Sequence, residues 1–421
     1  MDQITSFVRM YWKVLVPILV ALVVIVLLRG CSKGEDVVVT DSAPVKEVAQ
    51  GDYLPYTAPA TASPLTGEAC ANYDKRTFGV MYSGSTDARK YYHNLDQADF
   101  VLEMPHRPMH GEPRILGVFG CNAPDKAGPM RSGRVDHISV AQSLGAIYAP
   151  WGKSSIAGAL LTRENVEHIE VGDGIRANDG TRVGFIDRSI PMTSANPAFA
   201  DVTGLISAAG DRGYSSASQT QGFEHQGELP RADRTSYNKV TVKFEGDSRV
   251  QYFYDPETNR YMRFYGEDPH IDFASKEQYG PKNLITIITK KEAWWTENDF
   301  KERGLEDPWA GVPADYQNRD NGQYPNMQLG DPWFDTKFEG EARFFFNGEE
   351  IEGSWKRADT PNASFEFYDE KGAPVRFVPG QIWLHVLGHK QRVSHTTEEE
   401  YLENKADEER DAAEAAAGGA L

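Results

Sequence analysis

The chain has 421 residues, 40% hydrophobic and 25% charged, which is enough apolar surface for two or three folding units and too much for a disordered chain. It carries 62 acidic against 44 basic side chains, a formal charge of −18. Nucleic-acid binders display a basic stripe, so nucleic acid is excluded as the main partner. Three cysteines exclude a disulfide-dense scaffold and any four-cysteine zinc site.

Residues 1–30 read as a signal or transmembrane anchor. Val14 to Leu28 is an uncharged apolar run, preceded by Arg9, Tyr11, Trp12 and Lys13. A bilayer span takes about 20 residues, and Tyr11 and Trp12 extend this run through the interface. The same pattern fits a signal peptide's basic and apolar regions. Leu28-Arg29-Gly30-Cys31 follows. It places Leu, Gly and Cys as a bacterial lipoprotein cleavage box does, but with Arg29 in a slot that takes a small or apolar residue. A lipidated Cys31 and an uncleaved single pass both stay open. Either way the rest of the chain is expected on the extracytoplasmic face of the cytoplasmic membrane. Residues 31–66 form a Pro/Ala/Thr-rich linker. Cys70 and Cys121 are either one disulfide in an oxidising space or two unrelated buried thiols.

From residue 67 to about 225 the pattern is mixed. Thr77–Tyr82, Ala98–Glu103, Ile115–Phe119 and Ala146–Tyr148 read as strands. Ser132–Leu144 has helical spacing with Ser132 as cap, and Val202–Ala209 reads as a short helix. Gly210–Asn238 is polar and turn-rich, a boundary. From 236 to 390 the period becomes two. Val240–Phe244, Val250–Tyr254, Tyr261–Tyr265, Leu284–Thr289, Ala342–Phe346, Glu350–Trp355, Ser364–Tyr368 and Ile382–Leu387 are strand candidates. Asp255–Asn259, Asn347-Gly348 and Glu370–Gly372 supply turns. The expected fold class is α+β, with a membrane anchor, a mixed α/β domain over 67–225 and a mostly antiparallel β domain over 236–390. A Trp-rich insertion occupies 293–339. The tail, 391–421, is acidic and reads as a frayed helix or as disordered.

Several short segments resemble a known family. Ser63–Ala69 (SPLTGEA), Ala98–Pro105 (ADFVLEMP) and Ala127–Arg134 (AGPMRSGR) are followed by Tyr252–Phe264, Pro281–Ile287, Gly340–Arg357 and Val378–Leu387. Their order is that of the YerB-like lipoproteins, extracytoplasmic bacterial proteins built from a paired domain of unknown function. The resemblance implies a two-domain envelope protein and brings no reaction with it. The chain departs from the family pattern at Tyr82–Ser85, Met109–Arg114 and Pro191–Ser194.

The constellation richest in chemistry is Glu103, Arg114, Arg131, Ser132, Arg134 and Asp136. Two guanidinium forks beside a helix N-terminus make an anion site for a carboxylate or phosphate. The alternative is an Arg–carboxylate network that only positions the helix. His106 and His110 are four apart, but Pro105 and Pro108 break any helix between them, so no metal is expected. His385, His389 and His395 read as a solvated loop. Gly152-Lys153-Ser154 mimics a phosphate loop but has Ile147 where a glycine is required. Gly-x-Ser-x-Gly is absent, and no cofactor is implied. Trp294, Trp295, Trp309 and Trp333 form either an exposed surface for a glycan or protein or a small core of their own. The favoured function is a membrane-anchored binding or adaptor module that meets a cell-wall polymer or an envelope protein. The alternative is an envelope hydrolase or transferase acting on peptidoglycan, with Glu103 or Asp136 as acid–base.

Overall fold

Short runs of β-branched and aromatic residues build a mixed sheet of nine strands, in the order β17-β16-β15-β12-β19-β2-β3-β1-β4. From the first half of the sequence come β1 (Phe78–Tyr82), β2 (Phe100–Pro105), β3 (Pro113–Phe119) and β4 (Ile147–Ala149). From the second come β12 (Asn283–Ile288), β15 (Phe338–Phe346), β16 (Glu349–Arg357), β17 (Glu366–Asp369) and β19 (Ile382–Leu387). The computed structural model describes residues 53–105, 113–163, 165–193, 195–244, 249–288, 292–296, 323–327, 338–358, 363–387 and 392–418. All lie in one compact unit, Gln50–Leu421.

The halves on either side of residues 225–236 therefore share one sheet. Their seam is the parallel pairing of β19 with β2, Ile382 opposite Phe100 and His385 opposite Glu103. β12 also pairs with β19 in parallel. The expectation of a mostly antiparallel second half thus holds for its hairpins, not for the strands that reach the seam. One hairpin joins β15 to β16 through Asn347-Gly348, whose positive φ angles of 56° and 79° suit a two-residue turn.

Strand alternation sorts side chains to two faces. One face carries Leu102, Met104, Leu116, Leu384 and Phe344. It packs under α1 (Val135–Ser143) and α2 (Ser155–Arg163), through Ile138, Val140, Leu160 and Leu161. The other carries Val80, Val101, Ile115, Leu284 and Trp383. It packs on a five-stranded sheet of β8 (Asn238–Lys243), β9 (Arg249–Asp255), β10 (Arg260–Tyr265), β11 (Asp268–Pro269) and β20 (Arg392–Thr397). α3 (Val202–Asp211) adds Val202 and Leu205 to this second core. Shorter pairings link β5 (Gly184–Ile186) to β6 (Ala198–Ala200), β7 (Glu224–His225) to β18 (Arg376–Phe377), and β13 (Glu292–Thr296) to β14 (Gln323–Met327).

The linker expected over 31–66 gives way earlier, because its last part belongs to the folded body. Leu54 donates to Gln226 Oε1 at 3.3 Å and accepts from the Gly227 amide at 3.0 Å. Leu65 is fully buried. The anchor run Val14–Leu28 and Cys31 lie outside the described residues. Among those described, no helix is long and apolar enough to cross a membrane.

The tail forms α4 (Glu398–Gly418). Its start is a capping box in which Thr397 N donates to Glu400 at 3.0 Å and Glu400 N to Thr397 Oγ1 at 3.2 Å. Tyr401 stacks on Tyr237 with ring centroids 4.1 Å apart.

Candidate functional site at the carboxyl edge of the sheet

β1, β4 and β2 run in one direction and β3 runs against them. The carboxyl ends of the three parallel strands and the start of β3 thus share one edge, where open α/β sheets bind ligands. Here the chain turns from strand into Ser83–Asp87, begins β3 at Pro113-Arg114, and enters both α1 and α2.

The loops before α1 and α2 are stitched together. Trp151 N donates to Arg131 O at 3.1 Å, Gly133 N to Gly152 O at 2.8 Å, and Ser154 N to Gly133 O at 3.3 Å. This pairing keeps residues 131–134 extended, so α1 begins at Val135. Arg134 occupies the N-cap without a side-chain cap, and Ser132 is not the cap that helical spacing predicts.

The arginines gather around this loop. Arg114 Nη1 donates to Ser132 O. Arg134 Nη1 donates to Gly133 O at 2.8 Å and Ser132 O at 3.4 Å. Arg131 Nη1 donates to Met130 O at 2.9 Å and Asn196 O at 3.4 Å. Asp136 lies in the first turn of α1, where a carboxylate complements the positive end of the helix. Lys153 pairs with Glu170 at the periphery, a structural role for the residue of the phosphate-loop mimic.

Glu103 does not join this group. Met104 stands opposite Arg114 and Glu103 opposite Ile115, so Glu103 and Arg114 point to opposite faces of the sheet. Glu103 is fully buried beneath the five-stranded sheet, shut off from any external substrate for which it would be acid or base. Its carboxylate oxygens lie 3.0 and 2.8 Å from Arg263 Nη2, with both side chains wholly buried. Tyr265 OH donates to Glu103 at 3.1 Å. Arg263 Nε donates to His270 Nδ1 at 3.0 Å and Nη1 to Tyr252 OH. Tyr252 OH in turn meets His385 Nε2 at 2.9 Å. The guanidinium also lies over the Trp383 ring, 4.5 Å from its centroid.

Burial lowers the imidazole pKa of His270 and His385 well below the ordinary value, and the Arg263 charge adds to the effect. His385 is thus a fully buried strand residue, not part of a solvated loop, and His395 lies on β20, where its Nδ1 sits 2.5 Å from Glu350. Sequence reasoning missed Arg263. The available signal was its position between Tyr261 and Tyr265, in the inward register of an alternating strand.

Cys70 and Cys121 are disulfide-bonded with Cα atoms 5.4 Å apart. Trp294 and Trp295 fall on β13, with backbone partners Pro325 and Tyr324. Trp309, Trp333, His106, His110 and His389 lie outside the described residues. Gly84 sits so close to Pro113 that a Cβ there would be 1.3 Å from the Pro113 carbonyl oxygen, and Thr193 N donates to Asp87 at 2.9 Å.

A mostly β protein with few helices, built from two sequence halves around one sheet, is the class that this architecture defines. Residues 65–215 match the family described as "Protein of unknown function (DUF3048) N-terminal domain", and residues 240–384 match its C-terminal domain. The chain belongs to this YerB-like family. It is 24% identical over 344 residues to a Bacillus subtilis protein named "Putative lipoprotein YerB", covering 80% of this chain and 89% of that one. The crystal structure of YerB from Bacillus subtilis superposes with a TM-score of 0.60 at 18% identity, over 79% of this chain and 99% of the other. That likeness establishes a shared fold.

Proposed function

We propose that this chain is a membrane-tethered binding module of the bacterial cell envelope, held outside the cytoplasmic membrane, whose first half takes an anionic group at the carboxyl edge of the sheet. The observation that carries this reading is the convergence of Arg114 and Arg134 on the Ser132 carbonyl beside the start of α1. Two guanidiniums and a helix N-terminus favour a carboxylate or phosphate. The matching chemistry in the envelope is an acidic cell-wall polymer or an acidic group on a membrane-associated protein. The tether is the run Val14–Leu28 itself or a lipid on Cys31, in keeping with the relative's name. The Trp-rich segment 293–339 is assigned a second contact, with a glycan or a protein.

The test uses the full chain and purified wall sacculi. Binding in sedimentation should fall at least about tenfold in R114Q/R134Q and weaken with added salt. Unchanged binding by that variant overturns the anion site. Release of soluble muropeptides that stops in Asp136→Asn would instead establish the hydrolase reading.

A further inference from the structure

The buried network around Arg263 continues to the rim of the carboxyl edge. His270 Nδ1 accepts from Arg263 Nε, so its proton sits on Nε2, 3.4 Å from the Arg89 carbonyl oxygen. Arg89 lies on the short 3-10 turn Ala88–Tyr91. Its guanidinium stacks over Tyr265 at 4.2 Å, and its Nε donates to Gly84 O at 3.0 Å. The Arg89 amide donates to Ser85 O at 3.1 Å. Gly84 in turn abuts Pro113, the neighbour of Arg114. A continuous chain of contacts thus runs from Glu103 through Arg263, His270 and Arg89 to the Ser83–Asp87 loop.

We propose that this network is an acid-released latch, in which protonation of His270 and His385 loosens the Arg263 cluster and frees the Ser83–Asp87 loop at the rim of the cationic site. The latch stands whether or not that site takes an anion.

Three of the four imidazole nitrogens are engaged. His270 Nδ1 faces a guanidinium N–H, so a second proton there sets N–H against N–H beside a fixed cation. His385 Nε2 receives the hydroxyl proton of Tyr252, whose oxygen already accepts from Arg263. Its Nδ1, 3.4 Å from Glu103 Oε2, makes no hydrogen bond. The titratable and charged groups facing the two histidines come from every packed element. They are Glu103 from β2, Arg89 and Tyr92 from the turn region, Tyr252 from β9, Arg263 and Tyr265 from β10, and Tyr279. The Arg263 and Arg89 guanidiniums oppose protonation, while the Arg89 carbonyl favours it at His270 and the Glu103 carboxylate lies on that side of His385. Release lets the imidazoles titrate near their ordinary value of about 6.5, so the released state gains as pH falls below it.

The full chain is followed between pH 7.5 and 5 by hydrogen exchange, corrected for intrinsic rates, comparing residues 83–89 with β1. Exchange of 83–89 should rise at least about tenfold relative to β1, since one withheld proton per histidine gives a tenfold effect per pH unit below its ordinary pKa. In H270N/H385Q, which keeps an acceptor for Arg263 and for Tyr252, the rise should vanish. Proton uptake on urea unfolding at pH 5 should fall by one for each histidine replaced. A flat wild-type profile, or an unchanged acid response in the double variant, overturns the latch. Should the double variant not fold, Arg89→Met decides. Its loop should exchange fast at both pH values, and a loop that stays protected and acid-sensitive overturns the proposal.

Discussion

Glu103 and Arg263 stand 160 positions apart and form an ion pair in which neither side chain is exposed. One comes from each family half, so the pair is a polar bolt through the core that the halves share. Removing one partner leaves the other charged and buried. We expect Glu103→Met and Arg263→Met each to cost about 3–5 kcal/mol, and the double variant to cost clearly less than their sum. Urea midpoints of the four chains test this, and simple additivity would refute the coupling.

The Cys70–Cys121 disulfide closes a sequence separation of 51 residues. Chain entropy alone gives it about 4 kcal/mol of stabilisation. Cys70→Ser should lower stability by roughly that amount, and reductant should lower the wild type to the same level. A denaturation midpoint indifferent to reductant would contradict the prediction.

Asp99 is 4% exposed, and burial raises its carboxyl to about 6, against the opposing pull of the Cys121 and Gly120 amides. The folded pKa lies above the unfolded one, so the native state holds a proton that the unfolded chain releases. Asp99 therefore weakens the fold as pH rises from about 4 to 6, and the penalty is complete above 6. Asp99→Asn should gain about 1–2 kcal/mol at pH 7 and nothing at pH 4. Equal effects at the two pH values would show that the carboxyl is not the source.

Gly204 sits inside α3, where alanine ordinarily gains about 1 kcal/mol over glycine. Here a Cβ would lie 1.8 Å from the Arg182 carbonyl oxygen. Gly204→Ala should therefore destabilise, by about 2 kcal/mol or more. A thermal midpoint that rises instead would mean that the segment at Arg182 moves away without strain.

Much of this fold was legible because strand period reports a face. β9, β10 and the Asn347-Gly348 hairpin follow from alternation and turn chemistry, and β1 and β3 from short apolar runs bounded by turns. The seam between β2 and β19 was not legible, since nothing local encodes the pairing of Phe100 with Ile382. For the same reason Glu103 was grouped with Arg114. Only the register of β2 on β3 assigns them to opposite faces. α2 is hard to read from sequence because Gly158 interrupts its nine residues and weakens the helical signal. β20 reads as a polar loop because an edge strand bordered by solvent carries few apolar residues, and only its ladder with β8 identifies it. His385 lies in the apolar run Ile382–Leu387, in phase with Trp383, and that phase was the overlooked clue.

The position of β2 between β3 and β19 also governs how the molecule must be born. Synthesis delivers β2 about 280 residues before its neighbour, a delay of roughly 14–55 s at ordinary ribosome speed. Throughout that wait the backbone groups along one flank of β2 invite promiscuous strand addition. A polypeptide assembled this way suits passage as an unstructured thread with closure afterwards, once β19 arrives to cover the open flank of β2.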